Sequence, residues 1–114
     1  MKEFIFIYRG MDPQWATRSA TDKAAVMGLW AGWLGKLGEK GQLVTGGAPL
    51  EPGGKRLKKD GVVTDIAASE LKELVSGYSI VKAESYEQAV AIARECPIFR
   101  NETAVVEVRA VSAM

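Results

Sequence analysis

Few residues in this 114-residue chain are able to do chemistry, because it contains no histidine and only one cysteine. Serine–histidine–aspartate and cysteine–histidine catalysis, imidazole zinc sites and histidine pH switches are thereby excluded. Carboxylates, lysine, arginine, tyrosine and a single thiol are left. Tyr8 and Arg9 close an apolar run, where a guanidinium fork suits a carboxylate ligand and the phenol a polar aromatic one. The plainer and favoured reading of this pair is a strand-end ion pair. Asp65 follows a short strand, and loops at strand ends commonly carry function. Its plain alternative is an N-cap for a helix over residues 66–75. Trp30, Trp33 and Tyr78 could line an aromatic pocket, although the tryptophans stand at the helical spacing of ordinary core. Cys96 lies near a helix C-terminus, whose dipole disfavours a thiolate, so it reads as inert.

Other chemistries lack their residues. Gly53-Gly54-Lys55-Arg56 has no Walker hydroxyl, and no glycine stands five positions before Gly54. No carboxylate spacing points to a metal, and no cofactor is expected. Lys55, Arg56, Lys58 and Lys59 put four cations within five residues. No aromatic interleaves with them, so a solvated hairpin tip is preferred over nucleic-acid contact. Lys72 between Glu70 and Glu73 resembles a solvated helical face.

The elements that must position these groups follow from periodicity. Residues 3–9 alternate as a strand, Phe4, Phe6 and Tyr8 pointing one way and Ile5, Ile7 and Arg9 the other. Ser19 or Thr21 offers an N-cap to a helix over about 22–40, whose stripe is Ala25, Val26, Leu29, Trp30, Trp33, Leu34 and Leu37. Gly28, Ala31, Gly32 and Gly35 form its other face, which is either closely approached by something or a poorly optimised solvent face. Gly41 ends this helix. A strand over 42–45, a long loop over 46–54, and a hairpin over 55–65 about Asp60-Gly61 follow. A short helix over 69–75 and a strand over 77–83 come next. Ser85-x-x-Gln88 is a capping box for a second helix with Ala89, Ile92, Ala93 and Cys96 on one face. Pro97 stops it, and residues 102–111 form the last strand.

The order is a βαββαβ pattern with an added hairpin, the α+β ferredoxin-like arrangement, in one domain over residues 1–114. Two helices cover only one face of such a sheet. The other, carrying several large apolar residues, needs a partner, and a homodimer through the sheets is the economical one. The lone cysteine predicts a reducing cytoplasm. No apolar run approaches a membrane span, and the five apolar residues from Phe4 to Tyr8 are too few for a signal-peptide core.

The chain resembles the YCII-related superfamily, specifically its DGPF branch. Residues 63–78 align without gaps to the signature V-T-D-G-P-F-x-E-x-K-E-x-x-x-G-Y, with Asp65, Glu70, Lys72, Glu73, Gly77 and Tyr78 matching. Ile66, Ala67 and Ala68 replace Gly-Pro-Phe. Trp30-x-x-Trp33-Leu34, residues 41–50, residues 87–97 and Val106-Glu-Val-Arg109 fit as well. The resemblance implies a dimeric α/β barrel that binds a small organic molecule in a cleft between sheet and helices. It also puts Asp65 in a barrel mouth, where apolar surroundings raise a carboxyl toward the range of a general base. Asp65 is then the proton-handling residue of a cofactor-independent reaction, and Tyr8, Arg9, Trp33 and Tyr78 contact the ligand. Whether the chain is an enzyme stays open. The alternative that the resemblance offers is a non-catalytic interaction module of a sigma-factor system.

Overall fold

A computed structural model of the chain describes residues 1–66 and 74–113. β1, Lys2–Arg9, alternates as its side chains dictate: Phe4, Phe6 and Tyr8 are buried, whereas Ile5, Ile7 and Arg9 are half-buried. α1, Ala20–Glu39, begins earlier than periodicity alone suggests, because Ser19 rather than Thr21 is its cap. The Ser19 hydroxyl accepts the Asp22 amide at 3.1 Å, and the Asp22 carboxylate sits at the positive end of the helix dipole. At the other end Gly41 takes a φ of +69°, which only glycine adopts cheaply. Gly41 N–H then reaches Gly38 O at 3.1 Å and Gln42 N–H reaches Leu37 O at 2.9 Å. Those two bonds are the Schellman pattern, and they turn the chain directly into β2, Leu43–Thr45.

α2, Tyr86–Arg94, is set by its capping residues. Ser85 accepts the Gln88 amide at 3.1 Å, and the Gln88 side chain reaches back one residue further than a standard box, accepting from the Glu84 amide at 2.5 Å. Ala89, Ile92, Ala93 and Cys96 are all buried, and Pro97 opens a short 3-10 turn that ends the element.

The main sheet runs β2-β5-β1-β6, with β5 Val75–Ala83 and β6 Val105–Ala110, and neighbouring strands are antiparallel. β5 starts two residues before the expected Gly77, so Val75 belongs to a strand and not to the expected short helix; the rest of that helix lies mainly outside the described residues. β6 is shorter than 102–111 at both ends. Both helices pack on one face, around Phe4, Phe6, Tyr8, Trp33, Leu37, Val81, Ala83, Ala89, Ile92, Ala93 and Cys96. Tyr8 meets Trp30 edge-on at 5.3 Å, Trp30 meets Trp33 at 5.8 Å, and Phe6 stacks on Trp33 at 6.4 Å between ring centres. Ser79 is fully buried in this layer without cost, since it accepts from Tyr8 Oη and donates to Gly46 O, each at 2.8 Å.

The sheet does not close into a barrel within one chain. Its second face presents Ile5 opposite Ile80, Ile7 opposite Tyr78, and Val105 opposite Arg9. β3, Lys55–Leu57, and β4, Val63–Asp65, form a separate two-stranded hairpin. Its turn lies one residue earlier than one centred on Asp60-Gly61: Gly61 N–H reaches Lys58 O at 2.9 Å, which puts Lys59 and Asp60 at the centre, and Gly61 follows at a φ of +87° while Lys58 N–H reaches Val62 O at 3.0 Å.

Candidate functional site

The space between sheet and helices, where a ligand cleft was expected, is filled by the aromatic layer. A cleft of about 570 Å³ lies instead where the ends of β1 and β5 meet the base of the hairpin. Its volume falls in the range of small-molecule sites. Pro49, Leu50, Ile66, Leu74 and Val75 supply apolar walls, and Arg9, Arg56 and Glu51 supply charge.

Local rules explain how each wall arrives. The loop after β2 lies alongside the start of β5, with Pro49 bridged to Gly77 and Leu50 N–H bonded to Ser76 O at 2.8 Å. That approach requires glycine at two places. A methyl group on Gly47 would sit 1.8 Å from Tyr78 O, and one on Gly77 would sit 2.8 Å from Ala48 O. Gly77 of the signature thus has a packing reason. Between Tyr8 and Arg9 the register with β5 slips, so that Arg9 pairs with Val75 rather than Ser76. Such an irregularity re-aims a side chain, and here it falls at the charged end of the strand. Arg9 Nε donates to Glu107 on β6, and Arg9 makes further interactions besides. Arg56 reaches the cleft because alternation along β3 sends it to the face opposite Lys55 and Leu57.

The five residues singled out by sequence are not brought together. Tyr8 and Trp33 are buried on the helix side of the sheet, whereas Tyr78 and Arg9 stand on the open face. Arg9 alone lines the cleft. Asp65 pairs across the hairpin with Lys55, whose ammonium donates to it, and its side chain is 78% exposed. It shares the Lys55 and Leu57 face of the hairpin, turned away from Arg56. Glu70, Lys72 and Glu73 lie outside the described residues.

Electrostatics divide the groups in the same way. Burial pushes the Tyr8 phenol well above its ordinary range, so it stays protonated and acts as a donor to Ser79. Burial also pushes the Cys96 thiol up to about 11, which makes it unreactive for a reason other than the expected helix dipole. Among the described residues, no three of cysteine, aspartate and glutamate converge as metal ligands would.

Arg56, Glu51 and the Pro49-Leu50 wall were not legible as site residues. Arg56 had been absorbed into a run of cations, and the one usable signal was two-residue alternation inside a hairpin. Chemically, the cleft suits a ligand with an apolar body and an anionic head, since guanidinium groups pair with planar oxyanions in bidentate fashion.

None of the curated proteins matches the chain. The profile of the YCII-related domain matches residues 4–114, so the chain belongs to the YCII-related family.

Proposed function

We propose that this YCII-related protein binds a small organic anion in the cleft beneath the hairpin. The observation that carries the reading is the composition of that cleft: five apolar walls with Arg9 and Arg56 at one site. Arg9 is paired with Glu107 and Glu51 stands in the same lining, so Arg56 carries the attraction for an anionic head, and the apolar walls favour a ligand with a hydrocarbon or aromatic body. No helix among the described residues is long and apolar enough to cross a membrane.

The same reading places the chain in the DGPF branch, as a cytoplasmic homodimer of ferredoxin-like subunits. The order β2-β5-β1-β6 with antiparallel neighbours supports the ferredoxin-like assignment, and the open face bearing Ile5, Ile7, Tyr78 and Ile80 supports a second copy. Asp65 takes part in acid–base chemistry only if the hairpin face carrying it becomes enclosed around a ligand, since its carboxylate now stands in solvent beside Lys55.

Benzoate titrated into the protein and followed by amide chemical shifts tests the binding. Shifts confined to Leu50, Arg56, Ile66 and Val75 are expected, with Arg56→Gln weakening affinity about tenfold, the equivalent of roughly 1.4 kcal/mol. Benzamide, which lacks the charge, should bind more weakly. An equal response to both compounds, or shifts scattered away from the cleft, would overturn the reading.

A further inference from the structure

The hairpin holds apolar side chains that the described residues leave exposed. Leu57 is 71% exposed and Val63 58%, and the two are directly paired on one face. An isolated two-stranded hairpin is marginal in water. Its ladder is extended by one rung, Ile66 N–H to Gly54 O at 2.9 Å, which ties the two strands to each other rather than to the main sheet.

The surface of the whole chain shows the same excess. A folded monomer of 12.3 kDa exposes about 6,100 Å² by the usual scaling with mass. This chain exposes 7869 Å². The excess of roughly 1,800 Å² is about twice what one partner buries in an interface of standard size. Pairing of open sheet faces does not account for all of it. Four strands of 3, 8, 9 and 6 residues, at about 3.3 Å per residue and about 4.8 Å apart, give a footprint of roughly 400 Å², below the excess even when doubled for side-chain relief. The radius of gyration, 15.5 Å against about 13 Å for a compact chain of this length, agrees that part of the molecule stands away from the rest.

That part stands on the side of the open face. Arg9 projects from this face, Arg56 projects from the hairpin, and both line one cleft. A second copy apposed to the sheet would therefore meet the hairpin. We infer that the β3–β4 hairpin is an arm whose Leu57–Val63 face packs reciprocally against a second copy of this chain. The arm then encloses Asp65 and Lys55, which share that face, and the second copy closes the outer side of the cleft. The basic tip at Lys58 and Lys59 stays in solvent. The inference rests on the dimeric reading above, and the experiment separates the two.

Sedimentation equilibrium of the full chain, with amide hydrogen exchange at several protein concentrations, tests it. A dimer is expected, with Leu57→Glu raising its Kd at least tenfold and Lys59→Glu, at the turn, changing it less than twofold. Amides of residues 55–65 should become protected as concentration rises. A dimer with unaltered Kd in Leu57→Glu, and with hairpin amides exchanging freely at every concentration, overturns the arm while leaving the dimer intact. A monomer at about 100 µM overturns both. If Leu57→Glu fails to fold, the exchange of the unsubstituted chain decides.

Discussion

The two faces of the main sheet are built from the same strands, residue by residue, yet they have different chemistry. On the helix side stand Phe4, Phe6, Tyr8, Ser79, Val81 and Ala83, all buried, with one polar pair fully satisfied. On the open side, Ile5, Ile7, Tyr78, Ile80 and Val105 are mixed with Arg9, Lys82, Glu107 and Arg109. The first is a core, where close packing and satisfied hydrogen bonds leave no room for charge. The second mixes apolar side chains with charges that stay hydrated when that face is exposed. Alternation alone makes both faces apolar. The charges interleaved on one of them are what separate a core from an open face.

The largest effect should come from breaking the closed face and sparing the open one. Phe6→Ala should cost about 3–5 kcal/mol in urea denaturation, the usual penalty for a buried aromatic. Ile7→Ala, its neighbour on the other face, should cost no more than about 1 kcal/mol at low protein concentration. Its cost should grow with concentration if a second copy buries that face, and a cost that stays constant would remove the distinction between free and covered states.

Ser79→Ala removes the oxygen acceptor of Tyr8 Oη, leaving it only the Cys96 sulfur, and takes the Ser79 donor from Gly46 O, and should cost about 1–3 kcal/mol. A loss much smaller than this in the same denaturation would mean that water or another group reaches the helix side.

The glycine-rich side of α1 is a third surface to set beside these two. Among the described residues, a methyl group added at Gly28, Gly32 or Gly35 would meet nothing within 4 Å. Within one chain this favours the unoptimised solvent face over close approach. Gly32→Ala should then raise stability by about 0.5–1 kcal/mol. A fall in melting temperature would show instead that something packs against this helix.

The smallest effect concerns Asp12. Its carboxylate accepts from Arg18 Nε at 2.5 Å and from the Gln14 amide at 2.9 Å, and the Arg18 bond is the main reason its pKa lies below the ordinary range. A carboxyl depressed in the folded state stabilises it above the unfolded value of about 3.9, and that contribution disappears as pH falls through the folded value. Asp12→Asn should therefore cost less than about 1 kcal/mol at pH 7, and the difference should vanish in acid.

Much of this architecture was legible because its causes are local. The Ser19 and Ser85 caps, the Gly41 exit, the hairpin turn before Gly61 and the buried stripe of α2 each depend on residues within a few positions. The candidate site was mostly hidden, because its parts meet only through long-range packing. Arg9 comes from the first strand, Leu50 and Arg56 from the middle of the chain, and Val75 from a strand whose start was misplaced by two residues. Asp65 shows the same limit. Its position after a strand suggested a site, but the register of a two-stranded hairpin put it beside Lys55 and away from the cleft.

The sequence by itself determined the alternating strands, the two capped helices and the family to which they belong, since periodicity, capping and turn chemistry act over a few residues. Which face of the sheet the helices would cover, where a cleft would open and which way each hairpin residue would point were decided by tertiary structure. Those outcomes depend on distant segments competing to bury apolar surface, and neither strand alternation nor helix period specifies the winner.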